Sequence, residues 1–146
     1  MNDLSTVLLI EDNVDDVDLI RYAFGKARVA NPLAVVSDGD AAIAYVEGRS
    51  GYADRRAYPL PCLFLLDLKL PKRSGFEVLE HIRVTEATRR TPVVVLTSSN
   101  QELDIRQAYD LGANSYLVKP VGHDGLLTMV RVLEAYWIKL NHITAA

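Results

Sequence analysis

The sequence predicts an α/β fold in which helices cover both faces of a parallel β-sheet. Two observations support this prediction. Short, largely apolar runs of strand length alternate with helical patterns along the chain, and each clear run stops abruptly at polar residues. Strands that are buried on both faces show such continuous runs, and regular alternation with helices indicates parallel strands joined by crossover helices.

Five strands are predicted. The clear runs at 6–10, 63–66 and 93–96 stop at Glu11, Asp67 and Thr97, respectively. The runs at 33–36 and 115–118 are weaker candidates. With a helix after each strand, the order becomes βαβαβαβαβα, for which right-handed crossovers are the rule.

The first helix is predicted from Val17, Ile20, Phe24 and Ala27, which fall on one face, and Asp15 or Asp16 favours its first turn. The other helices are predicted at 40–47, 76–83, 103–111 and 125–141, with glycines after the second and the fourth. The stretch 48–61 is longer than most connections. We interpret it as a surface loop, and an insert that contacts a partner is the alternative.

Length and composition indicate one soluble domain over residues 1–146, with a core of about 5–141. The formal net charge is −3, whereas nucleic-acid-binding domains usually carry a clear excess of basic residues. The sequence therefore predicts no direct DNA binding. The single cysteine excludes an intramolecular disulfide. No apolar run approaches the ~20 residues needed to span a bilayer, and no secretion signal is visible. We therefore expect a cytoplasmic protein without a membrane segment.

The residues directly after the predicted strands carry the chemistry. In a parallel sheet, Glu11, Asp12, Asp67, Thr97 and Lys119 would meet at one edge. Three adjacent carboxylates repel one another, and a divalent cation such as Mg²⁺ would make the group tolerable. A carboxylate beside such an ion can attack phosphorus, while an ammonium and a hydroxyl neutralise phosphoryl oxygens. This edge is therefore predicted to be a site of phosphoryl transfer.

These residues also resemble a known family. Glu11-Asp12-Asn13 after a strand, Asp67 within residues 66–71, Gly75, Thr97 and Lys119-Pro120 are similar to the receiver domain of two-component response regulators. The resemblance covers nearly the whole chain. It implies a flavodoxin-like (βα)5 doubly wound sheet with strand order 2-1-3-4-5.

The resemblance also implies a role for each residue. Asp67 would be the phosphoacceptor. Glu11, Asp12 and Asp67 would hold Mg²⁺, together with the backbone carbonyl of Lys69. Thr97 and Lys119 would bind the phosphoryl group.

Further roles implied by the family concern the surroundings of the phosphoacceptor. Thr97 and Tyr116 would form a conformational switch, although simple sheet packing would also explain Tyr116. The Lys119–Pro120 peptide bond would be cis. Ser99 would tune the access of attacking water.

A closer resemblance concerns the small single-domain regulators that pair with bacterial phytochrome histidine kinases. It depends on the opening at 10–13, the insert before the third strand, and Tyr136-Trp137 in a long last helix. It implies a homodimer through the fourth helix, fifth strand and fifth helix, at about 101–112, 114–118 and 123–141. Trp137 is equally compatible with a core position and with a partner-binding anchor.

The leading hypothesis is a signalling switch that accepts its phosphoryl group from a histidine kinase. Such a protein would catalyse only its own phosphotransfer and dephosphorylation, and would not otherwise be an enzyme. Output would pass to a downstream protein or a phosphorelay histidine protein, because no room remains for an output domain after residue 141. One alternative is an aspartyl-nucleophile phosphohydrolase, but Lys69 stands where its acid–base Asp is expected. The other is an inactive pseudo-receiver that serves as a binding module, which the complete acidic cluster argues against.

Overall fold

The centre of the molecule is a sheet of parallel strands, as seen in a computed structural model that describes residues 4–144. The strands are β1 (Val7–Ile10), β2 (Leu33–Val36), β3 (Leu63–Leu66), β4 (Val93–Thr97) and β5 (Ser115–Val118). They lie in the order β2-β1-β3-β4-β5, all pairs parallel, which confirms the predicted flavodoxin-like fold and strand order. Every residue of β1, β3 and β4 is buried, whereas the edge strands β2 and β5 are mostly half-buried.

The helices are α1 (Val14–Lys26), α2 (Gly39–Glu47), α3 (Gly75–Val84), α4 (Glu102–Asp110) and α5 (His123–Leu133). Side chains of the preceding residues fix where three of them begin. Asn13, Asp38 and Ser74 each accept a hydrogen bond from a backbone N–H in the first turn of α1, α2 and α3, respectively. Gly48 ends α2 in the left-handed region, with φ of +72°. The predicted starts and ends of α2, α3 and α4 are correct to within one residue.

The prediction of one uninterrupted helix over 125–141 is wrong in its second half. After α5 the chain continues from Glu134 to Leu140 as a wider π-helix, and the amide N–H of Asn141 donates to the carbonyl of Tyr136 at 2.7 Å. Apolar spacing alone does not separate the two windings, because both keep one face apolar over a few turns. Trp137 is partly buried against the core, which favours its core interpretation.

Two apolar clusters form the core, one on each face of the sheet. One packs below α2, α3 and α4, and the other packs below α1 and α5. Loop 48–61 connects α2 to β3 as predicted, and most of its residues are exposed, although Arg55 ties it to α2. The guanidinium of Arg55 donates to the carbonyls of Tyr45 and Val46 in the last turn of α2, at 2.8 and 2.9 Å.

Within residues 4–144 no helix combines the length and the apolar character needed to cross a membrane.

Candidate functional site

The candidate site lies at the carboxyl edge of the sheet, where the strands deliver the predicted residues. Asp67 directly follows β3, and its amide N–H donates to the carbonyl of Ile10 at 3.0 Å. The hydrogen bonding between β1 and β3 therefore continues up to the candidate site. The chain then turns back tightly, with the amide N–H of Gly75 donating to the carbonyl of Leu68 at 2.8 Å. A Cβ atom on Gly75 would lie 2.4 Å from the carbonyl oxygen of Asp67. Only glycine therefore allows α3 to begin this close to the site.

The three predicted carboxylates converge. Glu11, Asp12 and Asp67 each offer an oxygen, and these oxygens lie within 4.8 Å of one another. Glu11 is 1% exposed and Asp67 is 6% exposed, whereas Asp12 faces solvent. Mg²⁺ prefers oxygen ligands and keeps several of its bound waters, so a group of carboxylates that is open to solvent on one side suits it. The donor set therefore fits a divalent cation. That the carbonyl of Lys69 joins this set stays a prediction.

Lys119 occupies the centre of the cluster. Its Nζ lies 2.6 Å from Oε1 of Glu11, 2.8 Å from Oδ2 of Asp16 and 2.9 Å from Oδ2 of Asp67. The contact with Asp16 was missed by the sequence analysis, which treated this residue only as a first-turn charge of α1. The position of Asp16 shortly after β1 could have indicated that it lies near the site. The sequence does not show, however, whether Asp15 or Asp16 would contact Lys119.

The two oxygens of Asp67 have different partners. Oδ1 accepts hydrogen bonds from the hydroxyl of Thr97 at 2.8 Å and from the amide N–H of Lys69 at 3.2 Å. Oδ2 accepts from the ammonium of Lys119 at 2.9 Å. Thr97 is fully buried, so its hydroxyl is held against the carboxylate. The structure thus brings the predicted phosphoryl-binding side chains into direct contact with the predicted phosphoacceptor.

These contacts separate the pKa values of the two buried carboxyl groups. Burial raises the pKa of Glu11 to about 7, although the hydrogen bond from Lys119 opposes this shift. Burial would also raise the pKa of Asp67, but the hydrogen bond and charge of Lys119, followed by the hydrogen bonds from Thr97 and Lys69, together hold it below its ordinary value. At neutral pH, Asp67 is therefore ionised.

The pKa of Lys119 itself is raised. Burial acts to lower it, but the hydrogen bonds to Asp16, Glu11 and Asp67 outweigh this effect. The side chain therefore stays protonated and keeps its positive charge between the carboxylates.

Tyr116 connects β5 to the loop that follows Thr97. It is half-buried, and its hydroxyl donates to the backbone carbonyl of Ser99 at 2.9 Å. The hydroxyl of Ser99 in turn donates to Oδ2 of Asp104, in the first turn of α4, at 2.6 Å. The candidate switch residues are thus joined through a loop that is hydrogen-bonded to both β5 and α4.

The prediction of a cis Lys119–Pro120 bond is wrong for this structure. All peptide bonds between residues 4 and 144 are trans, including this one. A bond before proline favours trans over cis by only about 0.5–1 kcal/mol. The residue types at 119 and 120 therefore do not determine the isomer.

Comparison with known proteins places the chain in a family. A model described as the response regulator receiver domain matches residues 7–131. The response regulator Rcp1 of Synechocystis sp. is 36% identical over 145 residues, which cover 99% of this chain and 97% of Rcp1. The probable methanogenesis regulatory protein FilR2 of Methanothrix harundinacea is 39% identical over 135 residues, which cover 92% of this chain and 84% of FilR2.

Solved structures agree with this result. The phosphorylated cyanobacterial phytochrome response regulator RcpA superposes with a TM-score of 0.89 at 36% identity, covering 97% of this chain and 99% of RcpA. The Mn(2+)-bound form of Rcp1 superposes with a TM-score of 0.86 at 35% identity, with the same coverage of both chains. The similarity therefore extends over nearly the full length of these structures.

Proposed function

Because this chain belongs to the response regulator receiver domain family, we propose that it acts in two-component signalling by accepting a phosphoryl group on Asp67. One observation carries the proposal. The ionised, nearly buried carboxylate of Asp67 lies next to two further carboxylates that suit a divalent cation, and Lys119 and Thr97 contact it at 2.9 and 2.8 Å. The proposed nucleophile, the proposed cation ligands and the two proposed phosphoryl-binding groups thus lie close together.

Transfer from a phosphohistidine would form a bond between an Asp67 oxygen and phosphorus while the nitrogen–phosphorus bond of the donor breaks. The imidazole leaves with the bonding electron pair and then takes up a proton. In the product, Lys119 pairs with one phosphoryl oxygen in place of Oδ2, and the Thr97 hydroxyl donates to another. A Mg²⁺ ion held by Glu11, Asp12, Asp67 and the Lys69 carbonyl would supply positive charge to the transferred group.

Phosphorylation would change the molecule through Thr97 and Tyr116. The Thr97 hydroxyl would exchange its hydrogen bond to Oδ1 of Asp67 for one to the phosphoryl group. This movement would displace the loop after Thr97, to which the Tyr116 hydroxyl is hydrogen-bonded at the Ser99 carbonyl. Such a local electrostatic change shifts the balance between two arrangements of a surface. We place that surface on α4 and β5, and Ser99 at the edge of the site would tune the attack of water that ends the signal.

The partner would be a histidine kinase in the cytoplasm. The description of RcpA as a phytochrome response regulator supports a bacterial phytochrome kinase as the phosphoryl donor. The signal would pass to a downstream protein or to a phosphorelay histidine protein, without direct binding to DNA. Apart from its own phosphotransfer and dephosphorylation, the protein would catalyse no reaction.

A homodimer through α4, β5 and α5 is also part of the proposal. Three large apolar side chains stand exposed on the first two elements, Leu103 and Tyr109 on α4 and Val118 on β5. A second copy would cover them, because removing exposed apolar side chains from water favours association. The interface would extend over residues 101–112, 114–118 and 123–141.

The test is phosphorylation by acetyl phosphate or a cognate kinase with Mg²⁺, followed by intact-mass measurement. We expect one added phosphoryl group, and none after chelation of the metal. Continuous hydrolysis of phosphate esters would indicate the phosphohydrolase instead. Absence of any labelling would indicate an inactive pseudo-receiver.

A further inference from the structure

Among residues 4–144, Asp16 is the one partner of Lys119 that does not belong to the candidate metal ligands. The cluster that can hold a cation consists of Glu11, Asp12 and Asp67. Oδ2 of Asp16, on α1, nevertheless lies 2.8 Å from Nζ of Lys119. An ammonium has three N–H donors, and here Nζ lies within 2.9 Å of one oxygen of each of three carboxylates. Asp16 therefore accepts a hydrogen bond from Lys119 that is as short as the one to Asp67.

The other two partners of Lys119 are needed by the metal. Its ammonium lies 2.6 Å from Glu11 and 2.9 Å from Asp67, and both carboxylates belong to the candidate cation site. Two cations that share ligands repel each other and compete for the same oxygens. A divalent ion must therefore take these carboxylates from Lys119, and it does so more easily if the ammonium keeps another acceptor nearby.

We propose that Asp16 is a positioning residue that draws the ammonium of Lys119 towards α1 and so opens Glu11 and Asp67 to a divalent cation. The proposal builds on the Mg²⁺-dependent phosphoryl transfer inferred above. It assigns to Asp16 no direct contact with metal or substrate. Once the ion is bound, Asp16 retains Lys119 at the α1 side of the site, from where it can meet a phosphoryl oxygen.

The first turn of α1 also offers a matched control. Asp15 has the same charge and lies one residue away, but it is exposed and is not a partner of Lys119. The amide N–H of Asp16 is bonded to the side chain of Asn13 at 2.9 Å, so the start of the helix is fixed independently of the Asp16 side chain. Asp16→Asn and Asp15→Asn therefore remove equal charge from one helical turn, and only the first disturbs Lys119.

The experiment is a Mg²⁺ titration of the full chain, followed by amide chemical shifts, without any phosphoryl donor. We expect Asp16→Asn to weaken Mg²⁺ binding roughly three- to tenfold relative to Asp15→Asn, the range for one partly exposed charged pair. The same pair of substitutions is then compared in a Lys119→Met background. There we expect Asp16→Asn and Asp15→Asn to bind Mg²⁺ equally, because the lysine through which Asp16 acts is gone.

Two results would overturn this proposal while leaving the proposed function intact. Equal Mg²⁺ affinities of the two variants in the wild-type background would show that Asp16 acts only as a distant charge. A difference that persists with Met at position 119 would show that Asp16 acts directly on the ion. If the wild-type chain shows no Mg²⁺-dependent shifts at Glu11, Asp12 or Asp67, the proposed function itself fails, and this inference fails with it.

Discussion

Two buried carboxyl groups in the site, Glu11 and Asp67, have pKa values that move in opposite directions. Both contact the ammonium of Lys119. On its other oxygen Glu11 accepts one hydrogen bond, from the amide of Asn13, whereas Asp67 accepts two, from Thr97 and Lys69. Lys119, and after it these two donors, outweigh burial at Asp67 and lower its pKa, whereas burial dominates at Glu11 and raises its pKa. The residue proposed as nucleophile is thus the one kept ionised.

The raised pKa of Glu11 predicts a pH-dependent stability of the metal-free protein. The pKa rises from 4.5 to about 7 on folding, so the folded state binds this proton more tightly than the unfolded state. The contribution to stability is fully present below pH 4.5 and is lost as the pH rises through about 7. The free energy of unfolding should therefore fall by up to about 3 kcal/mol between these values.

This prediction is tested by urea unfolding at pH 5 and pH 8 in the presence of a chelator, with Glu11→Gln as the reference. The wild type should lose stability relative to the variant as the pH rises, because glutamine does not titrate. A difference between the two proteins that stays constant across this range would contradict the assignment of the raised pKa to Glu11.

At the level of the elements, the close approach of α3 to β3 depends on Gly75. A Cβ atom there would lie 2.4 Å from the carbonyl oxygen of Asp67 and 2.5 Å from the Cα of Leu68, and backbone atoms cannot yield as a flexible side chain can. Gly75→Ala should therefore destabilise the fold by about 2 kcal/mol, as overpacking does. It should also slow phosphorylation, because Asp67 is displaced.

Gly25, within α1, is the matched control for this change. In the described part of the chain, no atom beyond the neighbouring residues and backbone of α1 lies within 4 Å of a Cβ atom built there. Gly25→Ala should therefore leave stability unchanged or raise it by up to about 1 kcal/mol. Both variants are compared by their urea midpoints and phosphorylation rates. Equal urea midpoints for Gly75→Ala and Gly25→Ala would show that a side chain fits between Gly75 and the backbone of Asp67, which contradicts the close approach described above.

Tyr116 connects β5 to the β4–α4 loop, and removing its hydroxyl tests this connection. Tyr116→Phe deletes the hydrogen bond to the Ser99 carbonyl but keeps the ring. The loss of about 1 kcal/mol should raise amide hydrogen exchange over residues 98–104 roughly fivefold. Tyr109→Phe removes an exposed hydroxyl from α4 and should leave that exchange unchanged. Equal exchange in the two variants would show that the Tyr116 hydroxyl does not hold the loop.

The sequence predicted most of these elements because buried parallel strands leave a strong pattern. The continuous apolar runs of β1, β3 and β4 and the polar residues after them were sufficient to place the sheet, its edge and the acidic cluster. The π-helix over Glu134–Leu140 could not be predicted, since both windings keep a similar apolar stripe. The contact between Asp16 and Lys119 joins residues 103 positions apart, and it depends on how α1 lies against the sheet edge.

For the molecule as a whole, the proposed dimer makes a prediction about association. Leu103 on α4 is 75% exposed within the proposed interface, and Val84 at the end of α3 is equally exposed outside it. Leu103→Glu should prevent self-association, because a charge would be buried between the copies, whereas Val84→Glu should not. Sedimentation velocity over a range of concentrations, with and without phosphorylation, measures this directly. Equal association of both variants would place the interface elsewhere.

The central claim is that Asp67 receives the phosphoryl group, and site mapping of the acyl phosphate tests it most directly. The protein is phosphorylated with Mg²⁺, reduced with borohydride, which converts an aspartyl phosphate to homoserine, and digested for mass spectrometry. The account predicts homoserine at position 67 in the wild-type chain and no labelling of Asp67→Asn. Modification at Glu11, Asp12 or any other residue in place of Asp67, or full labelling of Asp67→Asn, would contradict it.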